Sequence, residues 1–276
     1  MTHRLQRSVK GLVIWCGVLT VVSPLVWMII TAIRPKYEAL RSPLTLVPST
    51  ITWENFGRIL NETPFVANFQ TSMIVSLLTT VFVIALSVPA SYALARFRFP
   101  GNKILSAAVL MVYMLPGTVV VVPLYLIFVS LGLSGTLLSL ILTYSAFALP
   151  FAILLLVEFF SGMASQAEDA ARLDGASQME VLIEIALPQT LPAIGAVSMF
   201  TFIAAYNEYL FALIFISDPE RTTLPVGIVA SAKTTFDVDW AGLMAASVMM
   251  SVPVIIVVAL LQRVILQSFS VGGVKT

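Results

Sequence analysis

Long apolar runs alternate with short polar segments along the whole chain, and the apolar runs determine the predicted architecture. A helix needs roughly 20 predominantly apolar residues to cross a hydrocarbon core that is ~30 Å thick. Six runs are long enough, so the pattern predicts six membrane-spanning helices near residues 11–33, 67–95, 104–131, 137–160, 191–216 and 241–266. Within the third run, Pro116-Gly117 and Pro123 interrupt the apolar pattern.

Composition places the chain among membrane proteins. Hydrophobic residues make up 59% of the chain, charged residues make up 11%, and the mean hydropathy is +0.98. Soluble domains have about 25% charged residues. We therefore predict an all-α polytopic protein that forms one transmembrane domain over residues 1–276 in a lipid membrane. The net charge of +1 gives no electrostatic basis for a nucleic-acid partner. The first apolar run exceeds the about 7–15 residues of a signal-peptide core, so we expect a retained span.

The distribution of Lys and Arg predicts the orientation of the spans. If the N-terminus lies inside, the inner segments have more of these residues than the outer segments, as cytoplasmic segments usually do. The inner set is Arg4, Arg7, Lys10, Arg96, Arg98, Lys103, Arg172, Arg263 and Lys275, and the outer set is Arg34, Lys36, Arg41, Arg58, Arg221 and Lys233. Both termini and the polar segment after the fourth span are therefore predicted to be cytoplasmic.

That polar segment, AEDAARLDGASQMEVLIEIALPQTLPAI over residues 167–194, differs from the apolar runs around it. Its charged residues are Glu168, Asp169, Arg172, Asp174, Glu180 and Glu184. An ordered segment of this length needs a docking surface to offset its loss of conformational entropy. An amphipathic hairpin on the membrane surface is one interpretation, but such hairpins usually have Lys and Arg on the polar face. Acidic residues beside small apolar residues favour docking in a groove of another protein.

Local signals within this segment predict a helix, a glycine turn and a second helix. Glu168 and Arg172 have the favourable i,i+4 order in the first helix. Gly175 stands where a helix C′ residue takes a positive φ. Ser177 and Glu180 have the spacing of a capping box, and the second helix is predicted to end at Pro188.

The same residues resemble the EAA motif of ABC-importer permease subunits, which is Glu-Ala-Ala, three residues, Gly, nine residues, Ile, one residue and Leu-Pro. The matching positions are Asp169, Ala170, Ala171, Gly175, Ile185, Leu187 and Pro188. Asp169 departs from the family's usual Glu. The segment SYALARFRFPGNK is similar to the family's segment after its second span, and AYNEYLFAL resembles a stretch of its fifth span. The end of the chain, SFSVGGVKT, resembles the C-terminal tail of the carbohydrate-uptake branch, specifically of the maltose-type second permease subunit.

This resemblance implies the type I importer-permease fold and a defined set of partners. These are a second homologous permease, two ATP-binding subunits, an extracytoplasmic solute-binding protein, and an oligosaccharide, disaccharide or polyol as cargo. It also implies a coupling segment at 165–190 that docks on the ATPase through Glu168, Asp169, Ala170, Ala171, Arg172, Asp174, Gly175, Ile185, Leu187 and Pro188. Whether Asp169 or Glu168 contacts the ATPase stays open. The resemblance further implies that Gly272, Gly273 and Lys275 of the tail contact the ATPase, although an unstructured terminus is equally compatible with the sequence.

The sequence lacks the motifs of a catalytic or nucleotide-binding subunit. No G-x-x-x-x-G-K-[ST] occurs, and His3 is the only histidine, which excludes Ser-His-Asp and Cys-His machinery, the H-E-x-x-H zinc motif and histidine facial triads. No metal site is predicted. We therefore expect no enzyme activity and no cofactor in this chain, with ATP and Mg²⁺ held by the partner ATPase. The alternative is a secondary transporter driven by an ion gradient, but that class often has internal repeats and several buried acids.

Glu208 is the one acid deep in an apolar run, and it lies beside Tyr206 and Asn207. Such residues usually face the protein interior or a water-filled path. This trio is therefore a candidate pathway or gate, and the competing interpretation, an anchor between helices, is slightly favoured. Sugar contacts would come from aromatic and amide groups, and the candidates are Tyr113, Tyr125, Tyr144, Tyr206 and Asn207, although each alone fits packing better.

The predicted outer segments, near residues 34–66 and 217–240, are long enough to contact a solute-binding protein. A short surface helix is expected at 53–60. Trp53 and Asn55 at its start are the candidate contacts.

Overall fold

The computed structural model describes the backbone of residues 2–39, 47–233 and 238–271, and the side chains of residues 10–39, 47–233 and 238–262. These ranges are helical and contain no β-strand, which confirms the all-α prediction. The helices are α1 (Thr2–Ala32), α2 (Lys36–Ala39), α3 (Glu54–Glu62), α4 (Phe65–Arg96), α5 (Asn102–Tyr113), α6 (Gly117–Ser130), α7 (Leu137–Gly162), α8 (Gln166–Leu173), α9 (Gln178–Glu180), α10 (Leu187–Tyr206), α11 (Leu210–Phe215), α12 (Leu224–Ala232) and α13 (Trp240–Val271).

Four of the predicted spans correspond to single helices that are long and apolar enough to cross a membrane. They are Lys10–Ala32 of α1, Phe65–Arg96, Leu137–Gly162 and Trp240–Gln262 of α13. The short helix expected at 53–60 is also present as α3.

The third predicted span, 104–131, is present as a bent pair of helices, which are long and apolar enough to cross a membrane only when taken together. It consists of α5 and α6, whose axes differ by 97° across a short break. Pro116 lies at the break with φ −68° and ψ 126°, an extended conformation. Proline has no backbone N–H and disfavours a helical conformation in the residue before it, so the helix restarts after it. Pro123 lies within α6 and does not end that helix.

The fifth predicted span is present with shifted bounds, because the helical stretch that is long and apolar enough to cross a membrane is Gln178–Tyr206 rather than 191–216. Helix α10 ends at Tyr206, and α11 begins at Leu210. The side-chain amide of Asn207 donates to the carbonyl of Ile203 (2.8 Å). The same carbonyl also accepts from the backbone N–H of Asn207 (3.1 Å), so the backbone and side chain of this residue together close the last turn of α10.

The predicted stop at Pro188 is wrong, because a helical path runs from α9 into α10. A π-helical turn, Val181–Ala186, joins the two. In a regular α-helix the ring of Pro188 would clash with the carbonyl of residue 184. The wider π turn bonds each N–H five residues back and accommodates the ring, and Pro188 then sits in the first turn of α10.

The described chain forms two compact units. One comprises residues 1–66 and 227–252. In this unit the buried side-chain amide of Asn55 donates to the carbonyls of Ala32 (2.9 Å) and Arg34 (2.8 Å), which fixes the end of α1. The guanidinium of Arg34 also lies 5.5 Å from the ring of Trp27, within cation–π range.

The other unit comprises residues 67–226 and 253–276, and two apolar clusters stabilise it. The first cluster packs α6, α7 and α11 together, and its members include Phe128, Leu140 and Phe215. The second packs α4, α7, the π turn and α10. It includes Tyr92 near the end of α4, and it positions the polar segment that follows α7. The prediction of a single domain over 1–276 with a coupling segment at 165–190 stays a prediction.

Candidate functional site

The turn between the two helices of the polar segment is a glycine-dependent helix end. Helix α8 is followed by Asp174 and then by Gly175, whose φ is +93°. The N–H of Gly175 donates to the carbonyl of Arg172 (3.1 Å), and the N–H of Ala176 donates to that of Ala171 (3.0 Å). This pair of bonds defines a Schellman motif, which requires the left-handed conformation that glycine adopts at little cost. The predicted C′ role of Gly175 is confirmed.

The second helix begins with the predicted capping box. The Glu180 N–H donates to the hydroxyl oxygen of Ser177 (3.3 Å), and the Ser177 N–H donates to the Glu180 carboxylate (2.6 Å). The backbone amide of Ser177 and its hydroxyl stabilise the charged carboxylate and lower the pKa of Glu180. The Schellman motif and the capping box therefore fix a tight hairpin, which consists of α8, α9 and the π turn.

Glu168 lies where α8 contacts the end of α4, and its side chain is buried there, with only 1% exposed. Its carboxylate accepts hydrogen bonds from the Tyr92 hydroxyl (3.0 Å) and from Nε (3.0 Å) and Nη2 (2.7 Å) of Arg96. Nη2 of Arg172 donates to the same carboxylate (3.2 Å), which confirms the predicted i,i+4 pair. Nη2 of Arg96 also donates to the carbonyl of Met163 (3.3 Å).

Asp169 has the opposite environment, because its side chain is 58% exposed. It accepts from Nη1 of Arg172 (2.8 Å) and from the Ser165 hydroxyl (2.9 Å). Burial alone would lower the pKa of Arg172, but contacts with Tyr92, Glu168 and Asp169 outweigh it and raise that pKa. Arg172 therefore stays protonated and links the buried acid to the exposed one.

The outer surface of the hairpin combines acids with exposed apolar side chains. Leu173 is 89% exposed, Met179 is 62% exposed and Ile183 is 53% exposed. Leu182 and Ala186, in the π turn that follows α9, are buried in the second cluster instead. Among the other predicted coupling residues, Ala170, Asp174, Gly175 and Pro188 are exposed, and Ala171, Ile185 and Leu187 are half-buried.

Glu208 lies at the break between α10 and α11, where its carboxylate has three partners. It accepts from the Tyr144 hydroxyl (2.7 Å) and from the backbone N–H groups of Phe211 (2.9 Å) and Ala212 (3.2 Å). The acid thus caps α11 and ties it to α7. This geometry favours the anchor interpretation over the gate interpretation.

The two neighbours of Glu208 have separate environments. Tyr206 is fully buried, and its ring stacks on Phe202 with centroids 5.6 Å apart. Within the part of the chain that the structure describes, its hydroxyl has no hydrogen-bond partner. Asn207 is exposed and caps α10. The predicted trio is therefore contiguous in sequence but does not form one hydrogen-bonded group.

Comparison with known proteins identifies the class. Residues 87–271 match the family described as binding-protein-dependent transport system inner membrane component. The chain belongs to this family. The permease is 34% identical over 276 residues to the inner membrane ABC transporter permease protein YcjP of Escherichia coli (strain K12), covering 98% of each chain. It is 34% identical over 254 residues to the trehalose/maltose transport system permease protein MalG of Thermococcus litoralis, covering 91% of each.

A solved structure confirms the fold of the permease. One chain of a bacterial ABC transporter involved in the import of the acidic polysaccharide alginate superimposes with a TM-score of 0.83 at 21% identity. The match covers 95% of the permease and 97% of that chain. The importer-permease fold and the inner-membrane location are thereby confirmed. The permease is a transport subunit, and the cytoplasmic location of its termini stays a prediction.

The remaining sequence candidates fall in different places. Gly272, Gly273 and Lys275 lie outside the residues that the structure describes. Tyr113 is exposed, and its ring centroid lies 6.2 Å from that of Phe151. Tyr125 packs against Phe215, with their ring centroids 5.9 Å apart. Their roles in sugar contact stay predictions.

The two candidate contacts on α3 differ in exposure. Trp53 is exposed, whereas Asn55 is buried and holds the end of α1. Only Trp53 therefore has a side chain that a solute-binding protein could reach without rearrangement of the helix.

Sequence reasoning missed two residues of the site, Tyr92 and Arg96. They are spaced i,i+4, so both lie on one face at the end of α4 and reach the same carboxylate. The sequence signal for them is limited to this shared helix face, because the acid that they contact lies more than 70 residues away.

Proposed function

We propose that the permease imports an oligosaccharide, a disaccharide or a related polyol, driven by ATP hydrolysis on a separate subunit. In this proposal it pairs with a second homologous permease, two ATP-binding subunits and an extracytoplasmic solute-binding protein. ATP and Mg²⁺ belong to the ATP-binding subunits, and this chain holds no cofactor. The hairpin transmits ATPase closure to the spans, which alternate between inward-open and outward-open states.

The exposed surface of the hairpin carries this proposal. Leu173, Met179 and Ile183 leave large apolar side chains in solvent beside acidic residues. Both helix ends are fixed by the Schellman motif and the capping box, so the surface is ordered before it binds. Preorganisation lowers the entropic cost of docking, and an amphipathic helix face fits a groove on a partner.

The environments of the two acids favour Asp169 as the contact with the ATP-binding subunit. Asp169 is exposed and already oriented by Arg172 and Ser165. Glu168 has both carboxylate oxygens occupied within the permease, and reaching a partner would require breaking those bonds. Breaking a buried ion pair costs about 3–5 kcal/mol, which weighs against Glu168.

The sugar class of the cargo rests on the names of relatives. Related permeases belong to systems for trehalose/maltose and for diacetylchitobiose. The solved transporter with the same fold imports alginate. A fold neighbour complexed with a pentasaccharide-bound periplasmic protein supports a solute-binding partner.

Uptake in cells that lack the cognate ATP-binding subunit tests the proposal. We expect uptake of a labelled disaccharide panel to be lost in these cells and to return with the intact ATP-binding subunit but not with a hydrolysis-deficient one. Uptake that persists without the subunit would instead support the ion-gradient alternative.

Co-purification tests the docking surface directly. Asp169→Lys should abolish co-purification of the ATP-binding subunit while the permease still inserts. The matched control is Glu62→Lys, a charge reversal at an exposed acid in the last turn of α3, where a cation is tolerated. Equal recovery of the ATP-binding subunit from both variants would exclude the assigned contact.

A further inference from the structure

Helix α8 is attached to the rest of its unit in an unusual way. Among its described residues, Glu168 is the buried one, while the flanking Ala167, Asp169 and Ala170 are exposed. A surface helix normally buries an apolar stripe against the core. Here the buried side chain is a carboxylate, so an ionic contact replaces the apolar stripe.

The partners of this carboxylate come from the end of a membrane span. Arg96 is the last residue of α4, and Tyr92 lies one turn before it. The Arg96 guanidinium contacts the Glu168 carboxylate through two nitrogens, which fixes orientation as well as distance. The Tyr92 ring is itself held by edge contacts to Phe160 (5.5 Å) and Phe97 (6.0 Å).

We propose that the contact between Glu168 and Arg96 is the mechanical joint through which movement of α8 is transmitted to α4. The inference rests on the proposed function, because it assumes that the ATP-binding subunit moves α8. Glu168 is a positioning residue in this scheme: Asp169 and the apolar surface meet the partner, and Glu168 faces the opposite way.

The chemistry of the joint suits force transmission. Hydrophobic attraction has no preferred direction, whereas an ionic contact through two nitrogens fixes the orientation of both partners. A buried ion pair often adds little net stability compared with apolar residues of similar volume. The pair is therefore better explained by the fixed geometry that it imposes than by the stability that it contributes.

Three variants in the assembled transporter separate these roles. Glu168→Gln removes the charge and keeps the shape. Arg96→Met removes the guanidinium and keeps the stem, and the double variant leaves neither charge unpaired. Glu158→Gln, the same change at an exposed acid of α7, is the matched control.

Three quantities are measured on each variant. The first is the amount of ATP-binding subunit that co-purifies, and the second is the amount of solute transported per ATP hydrolysed. The third is the distance between two spin labels, which are attached at Gln166→Cys and Arg98→Cys in a background that has Cys16→Ser.

We expect all variants to retain the ATP-binding subunit. Both single variants should lower the amount of solute transported per ATP by about tenfold, which corresponds to the loss of a hydrogen bond to a charged group. The distribution of distances between the two spin labels should become broader. The double variant should stay as uncoupled as the singles, because the joint is absent even though no charge is left unpaired. The control should match the wild type.

Two results would overturn the joint. One is an unchanged transport-to-ATP ratio with unchanged label distances in Glu168→Gln. The other is recovery of coupling in the double variant, which would mean that the pair serves folding alone. If Glu168→Gln fails to insert, Arg96→Lys replaces it as the test. This variant keeps the positive charge but loses the contact through two nitrogens, so transport per ATP should fall by a smaller factor. A wild-type permease that recruits no ATP-binding subunit would instead refute the proposed function, and its label distances would still report on the contact.

Discussion

The guanidinium of Arg58 forms an ion pair with the carboxylate of Asp239, 181 residues further along the chain. Nζ of Lys36 lies 3.6 Å from the same carboxylate, and the N–H of Gly242 donates to it (3.1 Å). Asp239 therefore caps α13 while it joins α13 to α2 and α3. This one buried carboxylate therefore connects the two chain segments, 1–66 and 227–252, of the unit that they form.

Replacement of Asp239 should destabilise the permease in a pH-dependent manner. Burial raises the pKa of Asp239, but hydrogen bonds from Arg58 and Gly242 outweigh burial and hold that pKa below its usual value. The resulting stability is present above the ordinary carboxyl pKa of about 3.9 and is lost as pH falls through the lowered value. Asp239→Asn should therefore lower the free energy of unfolding by about 3 kcal/mol at neutral pH. This is the lower end of the range for breaking a buried ion pair, because Arg58 is partly exposed.

Thermal unfolding in nanodiscs from neutral pH down to about pH 3 measures this effect. The difference between wild type and Asp239→Asn should shrink as the pH falls below the ordinary carboxyl pKa, because the unfolded state then binds a proton that the native carboxylate does not. Asp218→Asn, at an exposed acid, is the control. A difference that stays constant across the range would contradict the lowered pKa as its source.

A glycine beside this carboxylate gives a second prediction. A Cβ at Gly242 would lie 2.7 Å from a carboxylate oxygen of Asp239, which Arg58 holds in place. Gly242→Ala should therefore destabilise by about 1–3 kcal/mol through overpacking. At Gly57, in α3, a Cβ would meet nothing within 4 Å.

Gly57→Ala should instead stabilise by about 0.5–1 kcal/mol, because alanine has the higher helix propensity. The unfolding temperatures of the two variants should thus move in opposite directions. A destabilised Gly57→Ala, or an unaffected Gly242→Ala, would show that the space around these glycines differs from the structure.

Sequence patterns predicted the spans well where apolar length alone decided the outcome, as in α4 and α7. They did not give the course of the backbone where a single residue redirected it. Pro116 broke one run, yet Pro188 did not stop a helix, because a π turn before it made room for its ring. Periodicity measures burial over many residues and does not report such local hydrogen-bond changes.

The candidate site was predictable in its local parts. Gly175, Ser177 and Glu180 act within a few residues of each other, so spacing alone placed them. The partner of Glu168 lies 72 residues away at Arg96, and the fold brings the two together. Sequence therefore located the hairpin but could not decide which acid faces inward.

Gly175 should be sensitive to any side chain that disfavours positive φ. Gly175→Val should cost about 1–2 kcal/mol locally and distort the hairpin, because non-glycine residues pay for the left-handed conformation. We expect normal insertion and loss of uptake. Gly162→Val, at a helical glycine with open space around its Cβ position, is the control, and normal uptake in Gly175→Val would refute a rigid hairpin.

Glu208 offers a direct test between anchor and gate. If it anchors α11, Glu208→Ala should lower stability by about 1.5–3 kcal/mol, the range for hydrogen bonds to a charged group. Tyr144→Phe should give a smaller loss that is not additive with it, since both remove the bond of 2.7 Å between Tyr144 and Glu208.

Tyr125→Phe is the control for that experiment, because the Tyr125 hydroxyl makes no hydrogen bond within the described ranges. Thermal unfolding and uptake should be measured on the same preparations. An anchor residue lowers the unfolding temperature but leaves the uptake rate per folded permease and the preferred sugar unchanged, because it does not contact the cargo. A gate residue instead changes the uptake rate or the preferred sugar at an unchanged unfolding temperature. Glu208 has three internal partners and no free carboxylate oxygen, so we expect a lower unfolding temperature with an unchanged uptake rate per folded permease.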